Sequence, residues 1–360
     1  MATRSNHLYR GSCEAISLTR PESTFDFRNP DYTPILQARV ERLAAIRSDP
    51  ALLAALKVHY KYNPWDFITD WGVTYAPKAN DGGPILRPFV MFPKQVEWHK
   101  WVWDKWQNNE RGLTEKSRES GVTWLAASLG ATLCLFWDDL TIGYGANLVE
   151  LVDSLGDMDS ILEKCRFFID HLPPEFKGDW DSANKDCSKE KLLRFSTGSR
   201  IKGQGGDQIG RGGRATMYFV DEYAHIRQAK HVDQALSANT DTQIDISTVR
   251  GLANAFAEKR HSGRVDVFTF HWRDDPRKDE AWYAKQIAQF DPVLVAQEID
   301  INYAASVEGV LIPAEWVNAA VDADKKLGLD ITGRKRGALD VADEGKDKLA
   351  FAIASVIRLE

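Results

Sequence analysis

The stretch GLTEKSRESGVTWLAASLGATLCLFW, residues 112 to 137, has the pattern of a polar loop that leads into an apolar helix. Aligned with the phosphate-loop template G-x-x-x-x-G-K-[ST], residues 116 to 123 read KSRESGVT. Gly121 and Thr123 match the template, whereas Val122 occupies the usual lysine position and Lys116 occupies the position of the first glycine. The template is half matched, and a polar strand-to-helix loop that binds nothing is an equally open interpretation.

A phosphate loop needs three chemical features, and this stretch offers each of them. Backbone N–H groups at a helix N-terminus bind the phosphates, a cation lies beside them, and a hydroxyl contacts Mg²⁺. Gly121 permits the turn, Thr123 supplies the hydroxyl, and Lys116 or Arg118 could reach the phosphates from the other end of the loop. The interpretation therefore depends on a second motif elsewhere in the chain.

That second motif is ATMYFVDEYAHI, residues 215 to 226, in which an apolar strand ends in two adjacent acids. Nucleotide hydrolases with phosphate loops place one acid in the Mg²⁺ shell and use another to polarise the attacking water. Asp221 and Glu222 fit these two roles. Acids are also frequent at solvated strand ends, but the carboxyl edge of an apolar strand is where an α/β sheet places its site.

The hydrophobic pattern predicts an α/β protein with a mainly parallel sheet that helices cover on both faces. Helical patterns run through ILQARVERLAAI and PALLAALKVHY, and a long helix is predicted over residues 147 to 171. Predicted strands are LTIGYGA, LLRFST, ATMYFVDE, IDIST and VDVFTFHW. With 360 residues, of which 43% are hydrophobic, the chain is long enough for more than one domain.

Composition excludes several classes of protein. No apolar run is long enough to span a bilayer, and the N-terminus has no signal-peptide pattern, so we expect a cytoplasmic protein. The four cysteines lack zinc-ligand spacing and are expected to be reduced and structural. A net charge of -6 argues against a generally basic surface but allows a local nucleic-acid site.

Three further stretches suggest a family. These are FVMFPKQVEWHKW (89 to 101), IKGQGGDQIGRGGRATMYFVDE (201 to 222) and IDISTVRGLANAFAEK (244 to 259). Together with the loop and the acids, they resemble the large terminase subunit of tailed double-stranded DNA phages, the motor that packages the genome and cuts it. The resemblance covers roughly residues 60 to 360 and implies a P-loop ATPase of the ASCE, RecA/helicase-like class. A loop with a displaced lysine, as at Lys116, resembles the lambda-type variant of that family.

The resemblance implies roles for individual residues. Gln95 would read adenine, Lys116 and Arg118 would act on the phosphates, Asp221 would join Thr123 in the Mg²⁺ shell, and Glu222 would be the catalytic carboxylate. The residues implied to contact ATP are Gln95, Lys116, Ser117, Arg118, Glu119, Ser120, Gly121, Val122 and Thr123.

The segment STVRG, residues 247 to 251, is similar to the family's coupling motif, in which Ser247 and Thr248 would sense the γ-phosphate. Arg118 or Arg211 could serve as an arginine finger. The glycine-rich segment GQGGDQIGRGGR fits no G-x-G-x-x-G pattern before a helix and is predicted to be a flexible loop.

The last part of the chain, GALDVADEGKDKLAFAIASVI, predicts a hairpin that resembles the start of an RNase H-like nuclease. Asp340 matches that family's first metal ligand, with Asp343 and Asp347 as weaker candidates for Mg²⁺ or Mn²⁺. We expect too few carboxylates here for two-metal cleavage. The predicted domains are a lead-in with helices (1–59), a motor (60–309), a linker (310–336) and an incomplete nuclease (337–360).

The resemblance also implies ATP and Mg²⁺ as cofactors, and several partners. These are double-stranded DNA, the portal protein of the procapsid and the small terminase subunit, with no membrane. We expect a homo-oligomeric ring on assembly, with a monomer in solution as the alternative, in the host cytoplasm and not in the mature virion. A helicase-like remodelling ATPase and a non-hydrolysing nucleotide-dependent assembly protein remain alternatives; the latter would explain the valine at position 122.

Overall fold

The computed structural model describes residues 21–77, 84–305, 325–326, 328, 335–340 and 350–355. The chain divides into two compact units, Met1–Val307 and Glu308–Glu360. The boundaries proposed above for the lead-in, motor, linker and nuclease stay predictions.

Unit 1 is built on an eight-stranded sheet. Its strands are β3 (Gly112–Lys116), β4 (Thr141–Ala146), β5 (Ser188–Lys189), β6 (Leu192–Arg194), β7 (Arg200–Gly205), β8 (Met217–Val220), β9 (Gln243–Ser247) and β10 (Asp266–Phe270). A separate pair, β1 (Val73–Tyr75) and β2 (Leu86–Pro88), is antiparallel.

The strand order in the sheet is β10-β3-β9-β8-β4-β7-β6-β5. The six strands from β10 to β7 are parallel, and β6 and β5 continue the sheet in antiparallel pairing. After β3 the chain crosses over β9 and β8 to reach β4, whereas after the neighbouring β9 it crosses over β3 to reach β10, so the connections that leave these two adjacent strands run in opposite directions. Open α/β sheets form their binding crevice at such a switch point, beyond the carboxyl ends of the strands.

Helices connect the parallel strands, and short 3₁₀ turns lie at Pro21–Thr24, Gly206–Gln208, Tyr223–His225 and Trp272–Asp274. The helices are α1 (Thr33–Ser48), α2 (Pro50–Tyr62), α3 (Pro64–Trp71), α4 (Pro93–Asn108), α5 (Val122–Phe136), α6 (Val149–Val152), α7 (Ile161–Asp170), α8 (Pro174–Lys177), α9 (Ala229–Asn239), α10 (Ala255–His261), α11 (Glu280–Gln289) and α12 (Pro292–Glu298). Within the described ranges, no helix combines the length and apolar character that a membrane crossing requires.

Two hydrophobic cores cover the two faces of the sheet. On β8, Met217 and Phe219 belong to one core, and Tyr218 and Val220 belong to the other. This alternation follows from the two-residue period of a strand, and it shows that both faces of β8 are buried. The prediction of a mainly parallel α/β sheet covered on both faces is confirmed.

The prediction of one helix over residues 147 to 171 is wrong. The structure has the short helices α6 and α7, with a loop of residues 153 to 160 between them. Gly156 has a φ of 78°, and the Asp153 carboxylate receives two hydrogen bonds from Arg166, at 2.6 and 3.0 Å. This buried ion pair and the left-handed glycine turn the chain between α6 and α7.

The prediction of a loop for GQGGDQIGRGGR is wrong for its first three residues, which end β7. A Cβ atom on Gly203 would approach the Val152 side chain to 2.4 Å, and one on Gly205 would approach the Val149 Cα to 2.6 Å. The glycines are therefore required because α6 packs closely on this strand, and not because the segment is flexible.

The described part of unit 2 is a hairpin. Its strands β11 (Lys335–Asp340) and β12 (Ala350–Ser355) pair antiparallel, with Asp340 opposite Ala350. The hairpin predicted for this segment is confirmed. Asp343 and Asp347, and most of the predicted linker, lie outside the described residues.

Candidate phosphate-binding cleft

The parallel strands bring the candidate residues to one edge of the sheet. β3 ends at Lys116, β9 ends at Ser247, and β8 ends at Val220, immediately before Asp221. In the sheet register Glu115 lies opposite Ser247, and Val220 lies opposite Asp245. Residues that are more than a hundred positions apart in sequence therefore meet at the carboxyl edge.

The loop between β3 and α5 turns into the helix at Gly121, which has φ 79° and ψ 9°. This left-handed conformation suits glycine, and a Cβ here would also lie 3.1 Å from Nε2 of Gln95. That Nε2 donates to the carbonyl of Ser120 at 3.2 Å, while Oε1 of Gln95 accepts from the amide of Phe92 at 3.3 Å. Gln95 is buried and supports the loop, a role that sequence reasoning did not foresee; its assignment to adenine stays a prediction.

Lys116 extends from the end of β3 into a group of carboxylates. Its side chain is 10% exposed, and its Nζ lies 3.4 Å from Oε1 of Glu222. Burial lowers the pKa of Lys116, but the charges of Glu222, Asp221 and Glu298 outweigh this effect and raise the pKa above its ordinary value. Lys116 is therefore a fully charged, largely desolvated cation at the carboxyl edge.

Asp221 pairs with the first turn of α5. Its Oδ2 accepts a hydrogen bond from the Thr123 hydroxyl at 2.7 Å, and its Oδ1 accepts from the Glu222 amide at 3.0 Å. Burial, followed by the charge of Glu222, raises the pKa of Asp221, while Lys116 and the Thr123 hydrogen bond oppose that shift. The carboxylate is held in place by hydrogen bonds but is costly to keep charged without a further cation.

Glu222 has a strained backbone. Its φ of 51° and ψ of 40° place a non-glycine residue in the left-handed region, and its side chain is 34% exposed. Such conformations are uncommon outside glycine, asparagine and aspartate, and they persist where the surrounding structure holds them. The Glu222 carboxylate pairs with Lys116 in this conformation.

These groups line an open cleft of about 280 Å³. One wall is the loop and the start of α5, and the opposite wall comes from the segment after β4 and from α7. Lys164 on α7, which sequence reasoning missed, lines this second wall and donates to the carbonyl of Asp159 at 2.8 Å. The broken helix described above is what brings α7 to the cleft.

The other predicted loop residues divide into buried and exposed groups. Val122 is buried in the apolar core, and the Ser120 side chain is buried without a hydrogen-bond partner among the described residues. Arg118 and Glu119 are exposed, and Glu119 has a φ of 60°. The loop thus exposes the middle of its polar run and buries the position where the template expects lysine.

The C-terminal end of α12 anchors this loop. The Ser117 hydroxyl donates to the carbonyl of Ile299 at 2.5 Å, and the Arg118 amide donates to the carbonyl of Glu298 at 2.6 Å. The Glu298 carboxylate accepts a hydrogen bond from the Thr248 hydroxyl at 3.3 Å. No local signal in the sequence identified Glu298, because about 180 residues separate it from the loop that it holds.

The predicted coupling residues follow β9 directly. Ser247 is fully buried, and its Oγ accepts from the amide of Ala224, which binds β9 to the turn after Glu222. Thr248 is buried and reaches α12 through Glu298. Arg211 is exposed in the loop after β7 and is not among the residues that line the cleft. Ser247 is thus linked to the turn after Glu222, and Thr248 is linked to Glu298. The choice of an arginine finger stays open between Arg118 and Arg211.

The donor set at the cleft suits Mg²⁺. Thr123 and Asp221 offer two oxygen atoms, and Mg²⁺ usually takes one or two protein oxygens while phosphates and waters complete its shell. Across the described ranges, no group of three or more His, Cys, Asp or Glu side chains is arranged to hold a metal alone. Oxygens from phosphates or waters would therefore complete the shell of a metal at this cleft.

Neither a scan of the sequence against protein-family models nor a search of curated proteins finds a match. Among solved structures, the fold is similar to three phage proteins. The large terminase ATPase domain of Thermus phage P74-26 is 17% identical, with 54% of this chain and 88% of that chain covered and a TM-score of 0.42. The large terminase of a thermophilic bacteriophage, solved in complex with ADP, is 14% identical, with 58% and 52% covered and a TM-score of 0.44. The large terminase of bacteriophage HK97 is 15% identical, with 82% and 64% covered and a TM-score of 0.47. The chain thus spans less than two thirds of the length of the last two proteins.

Proposed function

We propose that the cleft binds and hydrolyses ATP with Mg²⁺. One observation carries this proposal: two strand ends and one helix N-terminus bring four polar side chains together at a single edge of the sheet. Lys116 lies within hydrogen-bond distance of Glu222, and Thr123 lies within hydrogen-bond distance of Asp221. A cation, a hydroxyl and two carboxylates in this arrangement are the groups that phosphoryl transfer to water requires.

Each group has a defined role in this proposal. Lys116 and the amides at the start of α5 bind the phosphates, and Thr123 and Asp221 hold Mg²⁺, which offsets the charge of the phosphates. Glu222, the more exposed acid, orients the attacking water and draws its proton. The ion pair of Glu222 with Lys116 ties the position of this base to the cation that binds the phosphates.

We further propose that this ATPase is the motor of a phage large terminase that moves double-stranded DNA into procapsids. The support is the set of sequence motifs, from the displaced-lysine loop to STVRG at residues 247 to 251, on a mainly parallel sheet that gathers them at its carboxyl edge. The portal protein, the small terminase subunit and a ring of copies of this chain are the partners that this role implies. Arg118 and Arg211, both exposed, remain the candidates for an arginine finger within such a ring.

The test of the ATPase proposal is phosphate release by the purified chain with Mg²⁺ and ATP, with and without double-stranded DNA. We expect slow turnover that DNA or assembly partners increase. Nucleotide binding without any turnover, even with DNA, would instead favour a nucleotide-dependent assembly protein. Single-stranded nucleic acid as the stronger activator would favour the helicase-like alternative.

We propose that Asp340 is a metal ligand of a nuclease site for which the β11–β12 hairpin by itself supplies too few carboxylates. Incubation of supercoiled plasmid with the purified chain and Mg²⁺ or Mn²⁺ should leave the plasmid uncut. Metal-dependent linearisation that disappears in Asp340→Ala would overturn this proposal.

A further inference from the structure

The carboxylate of Glu298 lies at the carboxyl edge of the sheet, where Thr248 directly follows β9. Its Oε1 accepts hydrogen bonds from the Thr248 hydroxyl at 3.3 Å and from Nε2 of the neighbouring Gln297 at 2.8 Å. Its charge also acts on Lys116, whose pKa it helps to raise. A third carboxylate therefore shares the environment of Lys116 with Asp221 and Glu222.

The position of Glu298 is fixed by its backbone. Its carbonyl accepts from the Arg118 amide at 2.6 Å, and the next carbonyl, that of Ile299, accepts from the Ser117 hydroxyl at 2.5 Å. The same Ser117 oxygen accepts from the amide of Trp272 at 2.9 Å. The end of α12 is thus attached to the loop by its main chain and to the segment after β9 by the Glu298 side chain.

The apolar side of this region adds to the attachment. Val295 and Ile299 on and after α12 pack with Trp272, and Trp282 and Tyr283 of α11 pack against that cluster. This small cluster is separate from the two cores that cover the sheet. Helices α11 and α12 therefore form a local packing unit, and the hydrogen bonds of Ser117, Arg118 and Thr248 join it to the phosphate loop and to β9.

We propose that Glu298 competes with the terminal phosphate of a nucleoside triphosphate for the Thr248 hydroxyl, so that triphosphate binding weakens the attachment of α12. The inference rests on the proposed nucleotide site. A phosphate that accepts from Thr248 takes the donor that Glu298 now uses, and its negative charge repels the carboxylate. A nucleoside diphosphate lacks the competing group and leaves the Thr248–Glu298 hydrogen bond in place. Glu298 is therefore a positioning residue that distinguishes a triphosphate from a diphosphate and transmits the difference to α11 and α12.

The test compares Glu298→Gln with the parent chain by calorimetric titration of AMP-PNP and of ADP, each with Mg²⁺. The amide keeps the shape of the side chain but removes the charge. We expect AMP-PNP to bind on the order of fivefold tighter to the variant, while ADP affinity changes less than about twofold. Glu280→Gln is the matched control, because Glu280 is an exposed carboxylate on α11 that pairs with Arg273, and it should change neither affinity.

The outcomes separate this inference from the proposed function. A parent chain that binds neither nucleotide would overturn both. A parent chain that binds both, with a Glu298→Gln variant in which AMP-PNP affinity is unchanged or weaker, would overturn the role of Glu298 alone.

A second measurement uses the parent chain and does not depend on how the variant folds. Hydrogen–deuterium exchange over residues 292 to 300 should be faster with AMP-PNP than with ADP, because the end of α12 loses its hydrogen bond to Thr248. Equal exchange with the two nucleotides, at saturation, would contradict the proposed coupling.

Discussion

The two ends of the loop between β3 and α5 have opposite environments. At the first end, Lys116 lies among carboxylates with its ammonium group directed to the cleft. At the second end, Val122 is 1% exposed and packs in the apolar core. A lysine at position 122 would have to bury its charge or displace the core, whereas the lysine at position 116 is already compensated. The useful position for a cation is therefore the one whose side chain points to the acids, as that of Lys116 does, and not the one whose side chain packs in the core.

The contrast between the two ends is tested by truncating each in turn. We expect Lys116→Ala to reduce hydrolysis of ATP by at least ~10³-fold, because the phosphates lose their buried cation. Val122→Ala should keep most of the turnover and instead lower the free energy of unfolding by about 2 kcal/mol through a core cavity. Steady-state phosphate release and denaturant unfolding of both variants give the two readouts. A Lys116→Ala protein with near-parental turnover would reject the role of Lys116 and make Arg118 the first candidate.

Different roles are proposed for the two acids near Lys116, Glu222 and Asp221, and substitution of each acid tests its role. Glu222→Gln should still bind ATP with Mg²⁺ but hydrolyse it at least ~100-fold more slowly, since the amide cannot accept the proton of the attacking water. Asp221→Asn should weaken Mg²⁺-dependent binding, because it loses the charged oxygen paired with Thr123. Calorimetry with and without Mg²⁺ separates the two. Equal loss of ATP binding in both variants would show that this division of roles is wrong.

A buried histidine that contacts α5 is expected to make the free energy of unfolding depend on pH, which is a smaller effect than those above. His99 on α4 is fully buried, its Nε2 contacts the carbonyl of Leu125 in α5 at 3.0 Å, and burial lowers its pKa to about 4. Because the unfolded chain binds the proton more readily than the folded chain, the stability contributed by neutral His99 is complete above about pH 6.5 and is lost as the pH falls towards 4. Between about pH 7.5 and pH 5 the loss is about 2 kcal/mol.

The measurement is the free energy of unfolding of the parent chain and of His99→Gln across this range. The variant should lose less stability on acidification than the parent, by about the same 2 kcal/mol. The exposed His231, changed to Gln, serves as the control and should leave the pH dependence as in the parent. Parallel pH profiles for the parent and His99→Gln would mean that His99 is not held neutral.

The sequence predicts those parts of the fold that depend on local patterns. The apolar run that ends in Asp221 and Glu222 is β8, and the alternation of strands and helices identifies the parallel sheet. The pattern failed where a distant contact determines the local structure. Arg166 binds Asp153 and fixes the turn between α6 and α7. Gly203 and Gly205 lie in β7, where α6 packs too closely for a side chain.

In the candidate site, too, the sequence identified the residues in local motifs and missed those that tertiary packing brings in. Lys116, Thr123 and the two acids were identified because each lies at the end of a recognisable strand or at the start of a helix. Glu298 and Lys164 were missed, because they come from helices whose own sequences carry no motif. Tertiary packing brings Lys164 to the cleft and Glu298 to Thr248 and the Arg118 amide. Gln95 was identified by its position relative to the loop, and its hydrogen bond to the Ser120 carbonyl required the structure.

The proposed ATP site is tested most directly by a crystal structure of the chain with Mg²⁺ and AMP-PNP, in which the partner of each phosphate oxygen can be measured. We expect Nζ of Lys116 to lie at about 2.7 to 2.9 Å from a phosphate oxygen. We also expect Val122 to stay in the core, and Thr123 and Asp221 to lie at the metal. Phosphates bound by Arg118 or another cation, with Lys116 still paired only to Glu222, would contradict the proposal, as would a nucleotide bound outside this cleft.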